Sequence, residues 1–334
     1  MRRDEVFRAI RRTGPAYVPI YFFNRDQDQS DIVAQDVQFH FMGPGKDYSE
    51  WDFAWERLDE TMGQPKNDLI QDWQDLEKLS IPDPAAAYRF EQNASFAEQY
   101  AECYRMAALG LSGFTTMWCL RGFDRLMLDL ALAPEKVVEL AKVVFGFEEA
   151  LIQRLSPKYF DAVAFFDDWG TQLGMLISPS LWRRLFKPFY QHHFQLVHQQ
   201  GMQVYFHCCG QYLPIIPDLI EIGVDVLNIS QPNLYDIPGL GRQFGGKVCF
   251  ICPISYQTTS ITGTREDIFN DARLLINHLG CYNGGLLGYV EEYHSIGMSE
   301  ENYQACVDAF RSLGRYAPPA DRSHTDMQQQ EGKR

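Results

Sequence analysis

The chain has 334 residues, 46% of them hydrophobic and 22% charged, with a formal net charge of −14. That composition supports one large core and excludes a disordered chain. So acidic a surface repels phosphate backbones and anionic lipid, and no apolar run reaches the roughly 20 residues of a membrane span, so nucleic acid and membranes are excluded as partners.

The N-terminus, Met1-Arg2-Arg3-Asp4-Glu5, enters a polar helical pattern with no signal-peptide core. Eight cysteines scattered over such a length do not form a disulfide framework, so a cytoplasmic location is expected. Strands are predicted at 17–23, 37–42, 108–117, 162–166, 202–207, 225–229, 247–252 and 285–289. Amphipathic helical patterns fall at 135–155, 179–199, 213–222, 264–279 and 299–313. Ser178-Pro179 and Thr264-Arg265-Glu266-Asp267 supply helix starts, and Gly201, Gly223, Gly280 and Gly314 supply helix ends. Eight strands alternating with helices predict a parallel α/β sheet closed into a (β/α)8 barrel, a single domain over 1–316. No Gly-x-Gly-x-x-Gly loop follows a strand to favour a dinucleotide fold. The stretch 43–104 is too long for a barrel loop and is read as a helical insertion after the second strand. The polar segment 317–334 is expected to be a disordered tail.

In a barrel, chemistry gathers at the carboxyl ends of the strands. Those ends read Asn24-Arg25-Asp26, Asp167-Asp168-Trp169-Gly170-Thr171-Gln172, His207-Cys208-Cys209-Gly210, Asn228-Ile229-Ser230-Gln231 and Glu291-Glu292-Tyr293-His294. His207 and Cys209, two apart on an extended chain, point to one side, and Gly210 lets the backbone turn after them. An imidazole and a thiolate together suit a borderline-soft metal such as zinc. Asp167-Asp168 also suits simple capping of the turn that follows. Cys249-x-x-Cys252 sends its side chains to opposite faces of a strand and is not read as a dithiol. Cys103, Cys119, Cys281 and Cys306 read as packing residues, and His192, His193 and His198 as a solvated helix face. No Gly-x-Ser-x-Gly elbow supports serine catalysis.

Trp118-Cys119-Leu120-Arg121-Gly122-Phe123 with Asp129, Phe166 through Gln172, Ile177-Ser178-Pro179 with Phe186-Lys187-Pro188, His207 through Gly210, Ile222 through Asn228, and Glu301-Asn302 form one set of stretches. Together they resemble the uroporphyrinogen decarboxylase superfamily, in particular members akin to corrinoid-dependent methyltransferases. The resemblance implies a zinc-dependent methyltransferase that moves a methyl group from a methylated corrinoid protein to a thiol acceptor. His207 and Cys209 match the first two metal ligands. Where the family places a cysteine as third ligand, this chain reads Tyr293-His294-Ser295-Ile296, so His294, Glu291 or Glu292 stands in, His294 first. Because that departure weakens the case for a thiol, tetrahydrofolate is an alternative acceptor. Asp167, Asp168 and His294 are the expected catalytic residues, and Asn24, Arg25, Gln172 and Gln231 the expected substrate-binding ones. The superfamily also contains cofactor-free uroporphyrinogen decarboxylation. Here, however, the Met-Arg-Gln-Ala-Gly-Arg signature is replaced by Asn24-Arg25-Asp26-Gln27-Asp28-Gln29, an adverse loop for a substrate with many carboxylates. A non-catalytic corrinoid- or tetrapyrrole-binding barrel is a third reading. The superfamily often dimerises, so a homodimer is one option, and the oligomeric state stays open.

Overall fold

The computed structural model describes residues 1–43, 45–57, 63–66 and 68–316. Eight strands form one parallel sheet: β1 (Ile20–Phe23), β2 (Ile32–Asp36), β3 (Tyr104–Leu111), β4 (Ala162–Phe166), β5 (Gln203–Cys208), β6 (Val226–Ile229), β7 (Cys249–Pro253) and β8 (Leu286–Glu291). Consecutive strands pair from β2 through β8, and β8 returns to pair with β1, so the sheet curls into a nearly closed (β/α)8 barrel.

The seam lies between β1 and β2, where side chains substitute for a ladder. Asp31 N–H donates to the Ile20 carbonyl at 2.9 Å, while Asp31 Oδ2 accepts Ile20 N–H at 2.8 Å. Ser30 Oγ accepts Phe22 N–H at 2.9 Å. Such substitutions satisfy backbone groups that the strand pairing leaves free.

Around the barrel run α1 (Arg2–Arg11), α2 (Asn93–Gln99), α3 (Gly113–Arg121), α4 (Phe123–Leu132), α5 (Pro134–Ile152), α6 (Pro179–Leu185), α7 (Lys187–Gln199), α8 (Ile216–Glu221), α9 (Ile237–Phe244), α10 (Thr259–Thr262), α11 (Arg265–His278) and α12 (Glu300–Leu313). Strand alternation divides the core into two layers. One fills the lumen with Tyr21, Met106, Ala164, Tyr205, Ile251 and Tyr289, and α1 closes its lower end with Val6, Ala9 and Ile10. The other, larger layer lies between sheet and helices and holds Phe165, Phe206, Cys208 and Val290. No helix among the described residues is long and apolar enough to cross a membrane.

Three elements differ from the sequence expectation. The second strand is Ile32–Asp36 and not 37–42. The alternation at 37–42 serves a buried polar turn, in which Gln38 Nε2 donates to the Leu111 carbonyl at 3.1 Å. The apolar run 108–117 is half strand and half helix. Gly113, at φ 51°, lets the chain turn out of β3 directly into α3. The long helix at 179–199 breaks at Phe186, because Pro188 lacks the N–H that would bond the Arg184 carbonyl.

Between β2 and β3 the described chain forms a short antiparallel ribbon (Ala54–Glu56 with Gln64–Lys66), 3-10 turns at Trp73–Lys78 and Ala87–Arg89, and α2. Two buried arginines fasten it to the barrel: Arg89 donates to the Val37 carbonyl at 2.8 Å, and Arg121 to the Ile70 carbonyl at 2.8 Å. The tail expected at 317–334 lies outside the described residues.

Candidate functional site

His207 is the last lumen-facing residue of β5. Tyr205 precedes it by two positions inside the barrel, while Phe206 and Cys208 face the helices. Cys208 is fully buried; its sulfur accepts the Trp169 N–H at 3.2 Å, and burial pushes its thiol well up. Cys209 emerges on the same side as His207, with Sγ 3.4 Å from Nε2. Ser230 Oγ lies 3.5 Å from the same sulfur.

The turn after Cys209 explains the glycines. Gly210 sits at φ 71°, and a Cβ there would lie 2.3 Å from the Gly170 carbonyl carbon. A Cβ on Gly170 would lie 2.5 Å from the Gln211 nitrogen. The loops after β4 and β5 therefore touch backbone to backbone, and Gln211 N–H donates to the Thr171 carbonyl at 2.8 Å. That contact brings Asp168 to the site. Its Oδ1 accepts Cys209 N–H at 2.7 Å and stands 3.7 Å from His207 Nε2. One ligand atom each from Asp168, His207 and Cys209 lies within 4.8 Å of the other two.

Asn228 on β6 orients the imidazole. Its Nδ2 donates to the Ile251 carbonyl at 2.9 Å, which directs Oδ1 at His207 Nδ1, 2.5 Å away. Nδ1 therefore carries hydrogen and Nε2 faces Cys209 and Asp168, the arrangement a metal-binding histidine needs. Burial opposes charge on His207, but the Cys209 sulfur and the Asp168 carboxylate beside it raise its pKa to about 9. The pocket of negative potential around Nε2 that attracts a proton would equally attract a metal ion.

The other expected site residues fall in three places. Asp167 is fully buried and does not reach the mouth. It receives Phe114 N–H at 2.9 Å, Thr115 N–H and Thr115 Oγ1 at 2.8 Å each, and the Tyr190 phenol. It is thus the anchor of the α3 N-terminus, and burial raises its pKa to about 7. Thr115 Oγ1 also accepts Asp168 N–H at 3.1 Å, so this anchor holds the site loop from below.

Gln172 and Gln231 meet at the rim, Nε2 to Oε1 at 3.0 Å, and Gln231 continues to the Tyr256 hydroxyl at 3.1 Å. Asn24 reaches Glu291 at 3.3 Å, whereas Arg25 is engaged with Glu300 through two bonds of 2.8 Å. His294 is exposed, in a 3-10 turn after β8, and falls outside the Asp168–His207–Cys209 group. Glu291 and Glu292 fall outside it as well.

Strand-end position and residue type pointed to His207 and Cys209 as a ligand pair and to Asp168 as a site residue, but not to Asp168 as the third donor beside them. The roles of Asn228 and Tyr256 have no sequence signature, since each depends on a partner from another strand. Two peripheral readings are corrected: His193 is buried in the α5–α7 interface, and Cys281 is exposed. Cys249 and Cys252 do face opposite layers.

The family model described as uroporphyrinogen decarboxylase matches residues 59–285. No curated protein sequence matches the chain. Among solved structures, a methyltransferase from Methanosarcina mazei superposes with a TM-score of 0.60 at 14% identity, covering 78% of this chain and 75% of that one. A 3-keto-D-glucoside 4-epimerase from E. coli gives a TM-score of 0.44 at 13% identity, covering 74% and 94%. At such identity the likeness to the methyltransferase supports the barrel fold alone.

Proposed function

The chain belongs to the uroporphyrinogen decarboxylase family, and from that premise we propose that it is a zinc-dependent methyltransferase of a corrinoid system. The observation that carries this reading is the convergence of Asp168, His207 and Cys209 at the barrel mouth. One carboxylate, one imidazole and one thiolate form a three-ligand set that suits zinc and leaves a fourth position for substrate. Asp168 takes the place in that set for which His294 was the first candidate. Bound there, zinc would supply Lewis acidity that keeps an acceptor thiol deprotonated at neutral pH.

The chain's own residues do the rest. Asn228 holds His207 in the ligating orientation, and the interlocked Gly170 and Gly210 hold Asp168 against it. Gln172, Gln231 and Tyr256 form a hydrogen-bonded rim beside the sulfur of Cys209, suited to orienting the acceptor. In the transfer, the acceptor sulfur, or a tetrahydrofolate nitrogen, attacks the methyl carbon of a methylated corrinoid carried by a partner protein. A carbon–sulfur or carbon–nitrogen bond forms, and the cobalt–carbon bond breaks with its electron pair left on cobalt. The acceptor's proton passes to water. The M. mazei methyltransferase, which shares the fold, is consistent with this reading.

Uroporphyrinogen decarboxylation fits the mouth poorly. Arg25 is neutralised by Glu300 and Glu292, and Glu291 stands beside Asn24, so a polycarboxylate would meet net negative charge.

The test is to incubate the zinc-loaded chain with methylcobalamin and either a simple thiol or tetrahydrofolate, following cob(I)alamin by absorbance. Zinc-dependent loss of the methyl group that disappears in Cys209→Ser is expected. A zinc-loaded protein inert towards both acceptors, or one that decarboxylates uroporphyrinogen, would overturn the proposal.

A further inference from the structure

Glu291 ends β8, with Tyr289 two residues before it in the lumen. Its Oε2 accepts the hydroxyls of Tyr289 and Tyr293 at 2.8 Å each, and its Oε1 the Asn24 amide at 3.3 Å. All three donors are neutral, and Glu291 makes no ion pair among the described residues. The nearby Arg25 is turned away, bonded to Glu300 and stacked over the Tyr303 ring at 4.2 Å. Burial pushes the Glu291 carboxyl upward, while the two phenols and the more distant charge of His207 hold it back. A half-buried carboxylate held by neutral donors, with no ion pair of its own, is an incomplete arrangement.

Its surroundings are aromatic. Tyr256 stacks on Tyr293 at 4.4 Å between centroids, and Phe23 on Tyr289 at 6.0 Å. Deeper in the lumen the Tyr205 hydroxyl is fully buried and meets no hydrogen-bond partner. Tyr205 lies two residues before His207 on the same face of β5, so both face the lumen. Electron-rich ring faces around an acid without an ion pair favour an organic cation, and the unpartnered Tyr205 hydroxyl adds a polar group to the floor beneath it.

We propose that Glu291, with the rings of Tyr256, Tyr293 and Phe23, is a subsite for a positively charged amine, quaternary or protonated, on the substrate. The metal-dependent reading is needed only to say that the substrate's reactive end lies toward Cys209. Cation recognition rests on the Glu291 pocket itself.

The test compares choline with its uncharged isostere 3,3-dimethylbutan-1-ol by titration calorimetry on the full-length chain. Choline is expected to bind at least about tenfold more tightly, the size of a desolvated cation–ring contact. Glu291→Gln should erase the preference while leaving zinc content unchanged. Tyr256→Leu, which keeps the acid, should reduce choline affinity severalfold and serves if Glu291→Gln does not fold. Equal affinities, no binding of either compound, or a preference that survives Glu291→Gln would overturn the proposal. A chain that prefers choline but holds no zinc would sink only the methyltransferase reading. A zinc-binding chain without that preference would sink only this one.

Discussion

Asn228 acts on the site through one hydrogen bond to His207, and its effect is separable from that of the three donor residues. Asn228→Ala is expected to weaken zinc binding about 10–100-fold, as losses of such supporting contacts do, in competition with a chromogenic chelator. His294→Ala, by contrast, should leave zinc affinity at the wild-type value.

A second residue-scale prediction concerns Glu148. Its Oε1 accepts Gly113 N–H at 2.6 Å, and its Oε2 stands 3.7 Å from His193 Nδ1. His193 Nε2 faces the Phe145 carbonyl at 3.0 Å and must donate, so Nδ1 is a bare lone pair. Two acceptors face each other there unless Glu148 holds a proton, in accord with a pKa raised by burial to about 8. The unfolded chain releases that proton near the ordinary value of 4.5, so the folded state binds the extra proton between the two. Stability therefore falls as pH rises from about 5 to 8. Glu148→Gln, which keeps the acceptor and supplies a permanent donor, should reduce that slope in urea unfolding, leaving the part due to Asp167. An unchanged slope would remove Glu148 from the account.

At the scale of elements, the site depends on the loops after β4 and β5 lying in backbone contact. Gly210→Ala would combine a positive-φ side chain with a clash against Gly170, costing about 2–4 kcal/mol. Urea unfolding reads that loss, and zinc affinity should fall with it because Asp168 is displaced. The sequence made β4 to β8 legible, since each is a short β-branched or aromatic run closed by glycine and helix signals. Residues 108–117 were not: a continuous apolar run has no period to separate strand from helix. The division there is set by Asp167, which collects the second and third N–H groups of α3 from 53 and 52 positions away in sequence. The same long-range dependence concealed the third donor. Asp168 and His294 both end barrel strands, and only the neighbouring position of β4 and β5 selects Asp168. Many of the residues that carried the resemblance prove to hold the fold together: Arg121 bonds Asp129, Asp225 caps the Val204 N–H, and Asn302 ties α12 to the Gly263 carbonyl. That is why they announced the family more clearly than the reaction.

For the molecule as a whole, the barrel is continuous except at the β1–β2 seam, where Asp31 and Ser30 replace a ladder. Asp31→Ala would strand the Ile20 N–H and the Tyr17 hydroxyl, which bonds Asp31 Oδ1 at 3.0 Å. The expected loss is about 2–4 kcal/mol, with hydrogen exchange accelerated at β1 and β2 more than at β4 and β5. Uniform acceleration around the barrel would contradict a local seam. The seam and the site are kept apart by the lumen core, so zinc binding should survive Asp31→Ala wherever the protein still folds. If Asp168, His207 and Cys209 form one metal centre at the mouth of this barrel, the full-length chain equilibrated with zinc and then dialysed retains the metal, which elemental analysis counts per chain. One zinc per chain is predicted for wild type and His294→Ala, with little or none for Cys209→Ser and reduced retention for Asp168→Asn. A wild-type chain that retains no zinc, or a Cys209→Ser chain that retains as much as wild type, would rule out a metal centre built on these residues.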